Sequence, residues 1–336
     1  MRKRHKLRKS LLVGGAVFAG YVGVLALVTA YKICRIKAKA KPPGKSRFEA
    51  WQTDDCQPIP KHIYRRPDPL IYSQQYLMSQ GLAVTWNNPD IHLEQGGVPV
   101  DSSDLKPGTT YDVIARIWNG SLDAPVAGLP VHVSYLSFGI ATGEHPVAVT
   151  AVDLGAKAAP GCPTFAQVQW TTPAQPGHYC LLVRLIWADD ANPANNVGQH
   201  NTQVKPLNSP RAVFDFAVAN PGRQMRQIRL AADSYVLPEL PPCNEQAPPD
   251  TGGPNVYSLA VRKRQVLARH NAGSFPVPAG WTVNMNPQTL QLGPSEERQV
   301  SVEIIAPDGF TGRQSFNING FVDNDLLGGV TLIVTA

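Results

Sequence analysis

The chain has 336 residues, 43% hydrophobic and 17% charged, long enough for two domains of ordinary size and an attachment segment. Its 28 glycines and 31 prolines favour turns over long helices and exclude a helical bundle or coiled coil. The net charge of +6 is uneven: 13 of the 31 Lys and Arg fall in the first 47 residues, which hold no Asp or Glu, leaving 18 basic against 25 acidic residues in the rest, an acidic body that would repel nucleic acid.

The segment from Leu11 to Ala30, LLVGGAVFAGYVGVLALVTA, is free of charge for twenty residues. That length spans a hydrocarbon layer of about 30 Å as a helix. It predicts a basic cytoplasmic tail at 1–10 and a transmembrane helix at 11–33. Both flanks are basic, so positive-inside counting is nearly tied. The short, dense N-terminal tail and the export-type body favour the N-terminus inside. The expected location is the inner membrane, crossed once, with the C-terminal domains periplasmic or extracellular. Val28-Thr29-Ala30 and Ala38-Lys39-Ala40 also resemble signal-peptidase sites, but the apolar run is long for a signal-peptide core, which favours an uncleaved anchor.

Residues 34–84 read as a basic stalk and a connecting segment. Within it, Leu70, Ile71, Tyr72, Tyr76, Leu77 and Leu82 allow one or two amphipathic helical turns. The expectation is packing onto the first domain, with partner docking as the alternative. From 85 to 206 short alternating strands follow one another, separated by Pro, Gly and Asn turns. Tyr111, Val113, Ala115 and Ile117 share one face of a strand, as do Val131, Val133 and Tyr135. FAQVQW and YCLLVRLIW read as a hairpin, and the short loops predict antiparallel pairing throughout.

These residues resemble the CARDB group of bacterial immunoglobulin-like domains over about 88–205. The likeness rests on Gly108, Tyr111, Val113, Asn119 and Gly120, then a PG-x-Y-x-L-x-V run, then Asp189, Asp190, Asn192, Asn195 and Asn196. Asn119 and Gly120 are adjacent here, where the group spaces them. Residues 211–336 resemble a NEW3-type, fibronectin-III-like domain, through Asn220-Pro221-Gly222, Pro278, Gly280-Trp281, Pro287, Leu290, Leu292, the strand Gln299–Ile305, Ala306-Pro307 and Gly312. Val300, Val302 and Ile304 alternate inward and Trp281 is a natural core plug. The second unit, 207–336, departs from the pattern at an insert of about 233–275. The implied architecture is all-β: two tandem immunoglobulin-like antiparallel β-sandwiches preceded by one transmembrane α-helix.

Candidate chemistry is sparse. There is no phosphate-binding glycine loop, GxSxG elbow or HExxH, and no cofactor or enzymatic role is expected. Asp189, Asp190, Asn192 and Asn195 offer hard oxygens for calcium, but Asp and Asn also build turns, which is the favoured role. Asp323, Asn324 and Asp325 read as a hairpin tip. Cys162 and Cys180 bracket the expected hairpin and are the candidate disulfide, with buried thiols as the alternative. Arg262, Lys263, Arg264 and Arg269 are a partner-binding candidate or a solvated face. His92, His132 and His178 lie in or beside strands without ligand spacing, and the tryptophans are expected in cores. The Asn119-Gly120-Ser121 sequon matters only in a eukaryotic cell. The reading is an exported, membrane-anchored scaffold or accessory subunit that binds another protein in the cell envelope. The alternative is a module for cell-wall or surface glycans.

Overall fold

The computed structural model describes residues 66–157, 159–174, 178–208, 210–238 and 269–336. The expected span at 11–33 lies outside them. Among the described residues, no helix is long and apolar enough to cross a membrane.

The fold is all-β. Strands β1 (Pro69–Leu70), β2 (Ile91–Gln95), β3 (Val98–Val100), β4 (Thr110–Asn119) and β8 (Thr164–Thr171) form one sheet, with β4 paired to β1, β2 and β8. A second sheet runs in the order β10 (Val197–His200), β9 (Tyr179–Leu185), β5 (Val126–Ser137), β7 (Glu144–Leu154). Together they enclose the first core. The β4 sequence TYDVIARIWN alternates, and Tyr111, Val113, Ala115 and Ile117 all turn inward and are at most 2% exposed. Burying such side chains gives roughly 1.5–3 kcal/mol each. Val131 and Val133 are equally buried, and Tyr135 packs against the same core.

The second sandwich follows the same rule. One sheet has the order β11 (Thr202–Pro206), β18 (Asp325–Thr335), β17 (Arg313–Val322), β13 (Arg226–Asp233), β15 (Thr289–Leu292). The other runs β14 (Thr282–Asn286), β16 (Glu297–Ile305), β12 (Arg211–Ala219), β6 (Gly139–Ile140). Val300, Val302 and Ile304 face inward against Phe214, Phe216, Phe316 and Leu332. Trp281 is half-buried against this core and meets Phe310 and Phe316 with ring centroids 4.7 and 5.1 Å apart.

Two sequence expectations change. β8 and β9 are not a hairpin: β8 pairs with β4 in one sheet and β9 with β5 and β10 in the other. An intersheet crossover and a hairpin look alike in sequence when both join two alternating strands. Pairing is not antiparallel throughout, because β11 runs parallel to β18 and β6 parallel to β12. The two sandwiches also share strands. Both parallel contacts place segments continuous with the first sandwich into sheets of the second.

The segment 66–90 is a strap across both. It contains β1 and a short helix, α1 (Gln74–Ser79). Ile71 enters the first core. Tyr72, Leu77, Leu82 and Val84 form a separate cluster with Leu237 and Leu326 of the second sandwich. The strap therefore packs on both units rather than on the first alone.

Candidate functional site

The polar groups concentrate along the strap and the junction it crosses. Asp90 is fully buried. One of its oxygens takes bonds from Arg116 Nε at 2.8 Å and Trp118 Nε1 at 3.1 Å, and the other takes the Tyr72 backbone N–H at 2.9 Å. Burial raises its pKa against the pull of Arg116. The guanidinium also lies over the Trp118 ring, 5.2 Å from its centroid.

Trp86 is 2% exposed and donates from Nε1 to Asn319 Oδ1 at 2.9 Å. Gly329 makes room for it: a Cβ there would lie 2.2 Å from that nitrogen. The Asn319 and Asn317 amides each donate to Asp233 at 2.7 Å, and the Tyr235 backbone N–H adds a third bond at 2.9 Å. Asn317 in turn accepts from Thr331 Oγ1, which accepts from the Trp86 backbone N–H, both at 2.8 Å. Among the described residues no cation pairs with Asp233, and burial raises its pKa to about 6. Asn201 is fully buried and donates to the carbonyls of Gly139 and Gly329, each at 2.7 Å, while accepting from Cys180 Sγ.

The Asp/Asn loop is spent on structure in the same way. Asp190 accepts the Asn192 backbone N–H and the Asn196 amide, both at 2.7 Å. Asn195 Nδ2 donates to Asp68 Oδ1 at 3.0 Å, and Arg66 Nε pairs with Asp189 at 2.8 Å. Arg66 also donates to the Asp190 carbonyl. Burial raises Asp68 to about 6, with nearby Asp190 adding to it. These are turn contacts: the Asp189 and Asp190 carboxylates face amide and guanidinium donors, and Asn195 spends its amide on Asp68. Among the described residues no group of three or more His, Cys, Asp or Glu could hold a metal ion. Asp323 to Asp325 form the tip of the β17–β18 hairpin, with Asp323 at a φ of 56°.

The disulfide between Cys162 and Cys180 is not formed. Cys162 Sγ accepts the Asn119 backbone N–H at 3.4 Å, whereas Cys180 Sγ bonds to Asn201 Oδ1 at 2.5 Å. The crossover between sheets carries the two cysteines to different surroundings, and burial pushes the Cys180 thiol far above its ordinary pKa. Asn119 is no glycosylation acceptor in the folded chain. It is 2% exposed, and its amide donates to the Ala124 and Gly155 carbonyls at 2.8 and 3.0 Å.

Of the basic cluster, Arg262, Lys263 and Arg264 lie outside the described residues, and Arg269 is exposed. The described flanks of the insert are tied down by Tyr235 Oη, which meets His270 Nδ1 at 3.0 Å. His178 Nε2 contacts the Thr202 carbonyl at 2.6 Å, and His92 lies 3.5 Å from Glu94. Trp86 and Trp170 are buried, while Trp118, Trp187 and Trp281 are half-buried. Among the described residues the exposed large apolar side chains are Val98, Leu122, Val149, Phe165, Ile186, Val213, Met225 and Val236. Sequence reasoning missed Trp86, Asn201 and Asp233 as a connected set. The one available signal was polar residues embedded in apolar strand runs.

No family model matches the chain, and no curated protein matches it. Among solved structures it is similar to Escherichia coli alpha-2-macroglobulin activated by porcine elastase, at 9% identity and a TM-score of 0.21, over 73% of this chain and 22% of that one. It is also similar to red sea bream transglutaminase, at 10% identity and 0.19, over 78% and 33%. A third likeness is to the Vibrio cholerae VesB protease, at 9% identity and 0.25, over 73% and 95%. The chain spans about a fifth and a third of the lengths of the first two. At these TM-scores the likenesses carry no functional argument.

Proposed function

We propose that this chain is a membrane-anchored, exported interaction protein of the bacterial cell envelope, a scaffold or accessory subunit whose immunoglobulin-like sandwiches dock another protein. The carrying observation is how its ionisable groups are used. The buried carboxyls of Asp68, Asp90, Asp190 and Asp233 each accept at least one hydrogen bond from the chain itself. The large apolar side chains that the described surface exposes are aliphatic or methionine, apart from Phe165. That surface suits a protein partner better than a glycan, whose sugar rings would need a row of aromatic platforms. The anchor in this reading is the segment 11–33, which contains the uncharged run Leu11 to Ala30, with the N-terminus inside.

A photo-crosslinking residue at Phe165 or Val149, in cells expressing the full chain, tests the reading. The expected result is a discrete adduct at one of these positions, retained in the membrane fraction after alkaline washing. It should be lost on changing the neighbouring exposed apolar residue to Asp. Absence of any adduct from either face, or a chain released by the wash, would overturn the proposal.

A further inference from the structure

We propose that the second sandwich has a strand-accepting cleft that the first sandwich fills with the finger Ser137–Thr142, and that the two consequently unfold as one unit. This rests on the packing at the junction and is independent of what the molecule docks.

The finger leaves the end of β5 and places Gly139 and Ile140 beside Ala217 and Val218 of β12, in parallel register. Its base is closed by Thr142 Oγ1, which donates to the Ser137 carbonyl at 2.6 Å. Gly139 sits at a φ of 155°, and a Cβ there would lie 2.2 Å from the Ala217 carbonyl oxygen. Only glycine allows so close an approach. Ile140 is fully buried and belongs to the second core, together with Leu136, Phe138, Cys180 and Leu182 of the first sandwich. It is cupped by two glycines: a Cβ at Gly320 or Gly328 would come within 3.2 Å of Ile140 Cγ2. Phe138 bridges the two units, edge-on to His178 with centroids 4.4 Å apart and to Phe216 at 6.0 Å. The Asn201 amide, between β10 and β11, ties the finger's Gly139 carbonyl to the Gly329 carbonyl of β18.

Without the finger, the second sandwich would have an unpaired edge at Ala217 and Val218 and a void the size of an isoleucine side chain in its core. The cleft thus selects an extended segment with glycine followed by a branched aliphatic residue, the chemistry of strand addition at a sheet edge. The covering is mutual. Leu136, Cys180 and Leu182 lie on the outer face of the β5–β9 sheet, and the second core covers them.

Hydrogen exchange with mass readout, across a urea series on the full chain, follows β8 and β16 separately. The wild type is expected to lose protection in both at one midpoint. Ile140→Val and Ile140→Ala should lower both midpoints equally, although Ile140 packs only in the second core. Replacing 138–141 by Gly-Ser-Gly-Ser should split the midpoints, β16 falling below β8. A synthetic peptide of residues 137–142 should then bind saturably and raise the β16 midpoint, while the same peptide carrying Ile140→Asn should not. Separate midpoints in the wild type, a shift confined to β16 in Ile140→Ala, or an unshifted β16 in the replacement would each overturn the inference.

Discussion

The two sandwiches reach closure by different means. The first builds its core from its own strands and takes one strap residue, Ile71. The second takes Leu136, Phe138, Ile140, Cys180 and Leu182 from the first, accepts β6 and β11 at sheet margins, and has one outer face covered by Trp86 and Tyr72. Similar strand patterns therefore conceal an unequal exchange: the first sandwich lends side chains and strands to the second core, and the second core covers an outer face of the first. Interface substitutions should test that asymmetry more sharply than substitutions in either core.

The largest expected effect is at Trp86. Trp86→Ala removes a buried ring and leaves Asn319 Oδ1 without its donor, at a cost of about 3–5 kcal/mol. Urea midpoints should fall for strands of the second sandwich at least as far as for the first, and a loss confined to the first would break the comparison.

The next effect is pH-dependent. The Asp233 carboxyl moves from an ordinary 3.8 to about 6 in the folded chain, and Asp68 does the same. Between those values the folded form holds a proton that the unfolded form releases. Their contribution is therefore fully present below pH 3.8 and lost as pH rises through 6. At about 1.4 kcal/mol per pKa unit, each amounts to about 2–3 kcal/mol. His200, lowered by burial from 6.5 to about 4, acts in the opposite sense, its contribution being lost as pH falls through that interval. The Asp233→Asn variant keeps the histidine effect and loses one carboxyl effect. Between pH 4 and 6.5, measured by chemical denaturation, its stability should fall less with rising pH than the wild type's, by about the one carboxyl contribution removed. An identical slope would sink this account of Asp233.

Asn201→Ala strips donors from two buried carbonyls, for a loss of about 1–3 kcal/mol by calorimetry. The smallest effect is expected at Arg211, paired with Glu303 at 3.3 Å on an exposed face of the second sandwich. Arg211→Ala should change stability by less than about 1 kcal/mol. It serves as a control that the second sandwich is not simply sensitive everywhere.

The strands themselves were legible. β4 and β16 follow strict alternation, and inward faces such as Val113/Ala115 and Val300/Val302 come directly from period two. Legibility stopped where partners are distant in sequence. The run CLLVRL in β9 is apolar on both faces because one faces the first core and the other the second. Composition alone signals a doubly covered strand without saying by what. SFGIAT has the glycine and length of an ordinary loop, and nothing local marks Ile140 as a core residue 78 positions from its β12 neighbour Val218. Likewise the Asp/Asn loop was readable as a turn, whereas the partnership of Asp68 with Asn195, across 127 positions, was not. Of the two readings for Cys162 and Cys180, the thiols are free, and the disulfide candidate rested on a hairpin whose strands belong to different sheets.

The strap also determines how this molecule behaves in a crowd of its own kind. Along the free margin of β10, the Gln199 N–H donates to Gln74 Oε1 at 3.2 Å, the Gln199 carbonyl accepts from Gln74 Nε2 at 2.6 Å, and the next outward N–H, that of Asn201, donates to the Trp86 carbonyl at 2.8 Å. A side-chain amide here imitates a neighbouring strand, so the margin offers no template on which another chain could add. Peeling away residues before 88 would bare that template, and concentrated solutions of such a truncated chain should thicken into stacked, fibre-like aggregates where the intact one stays clear.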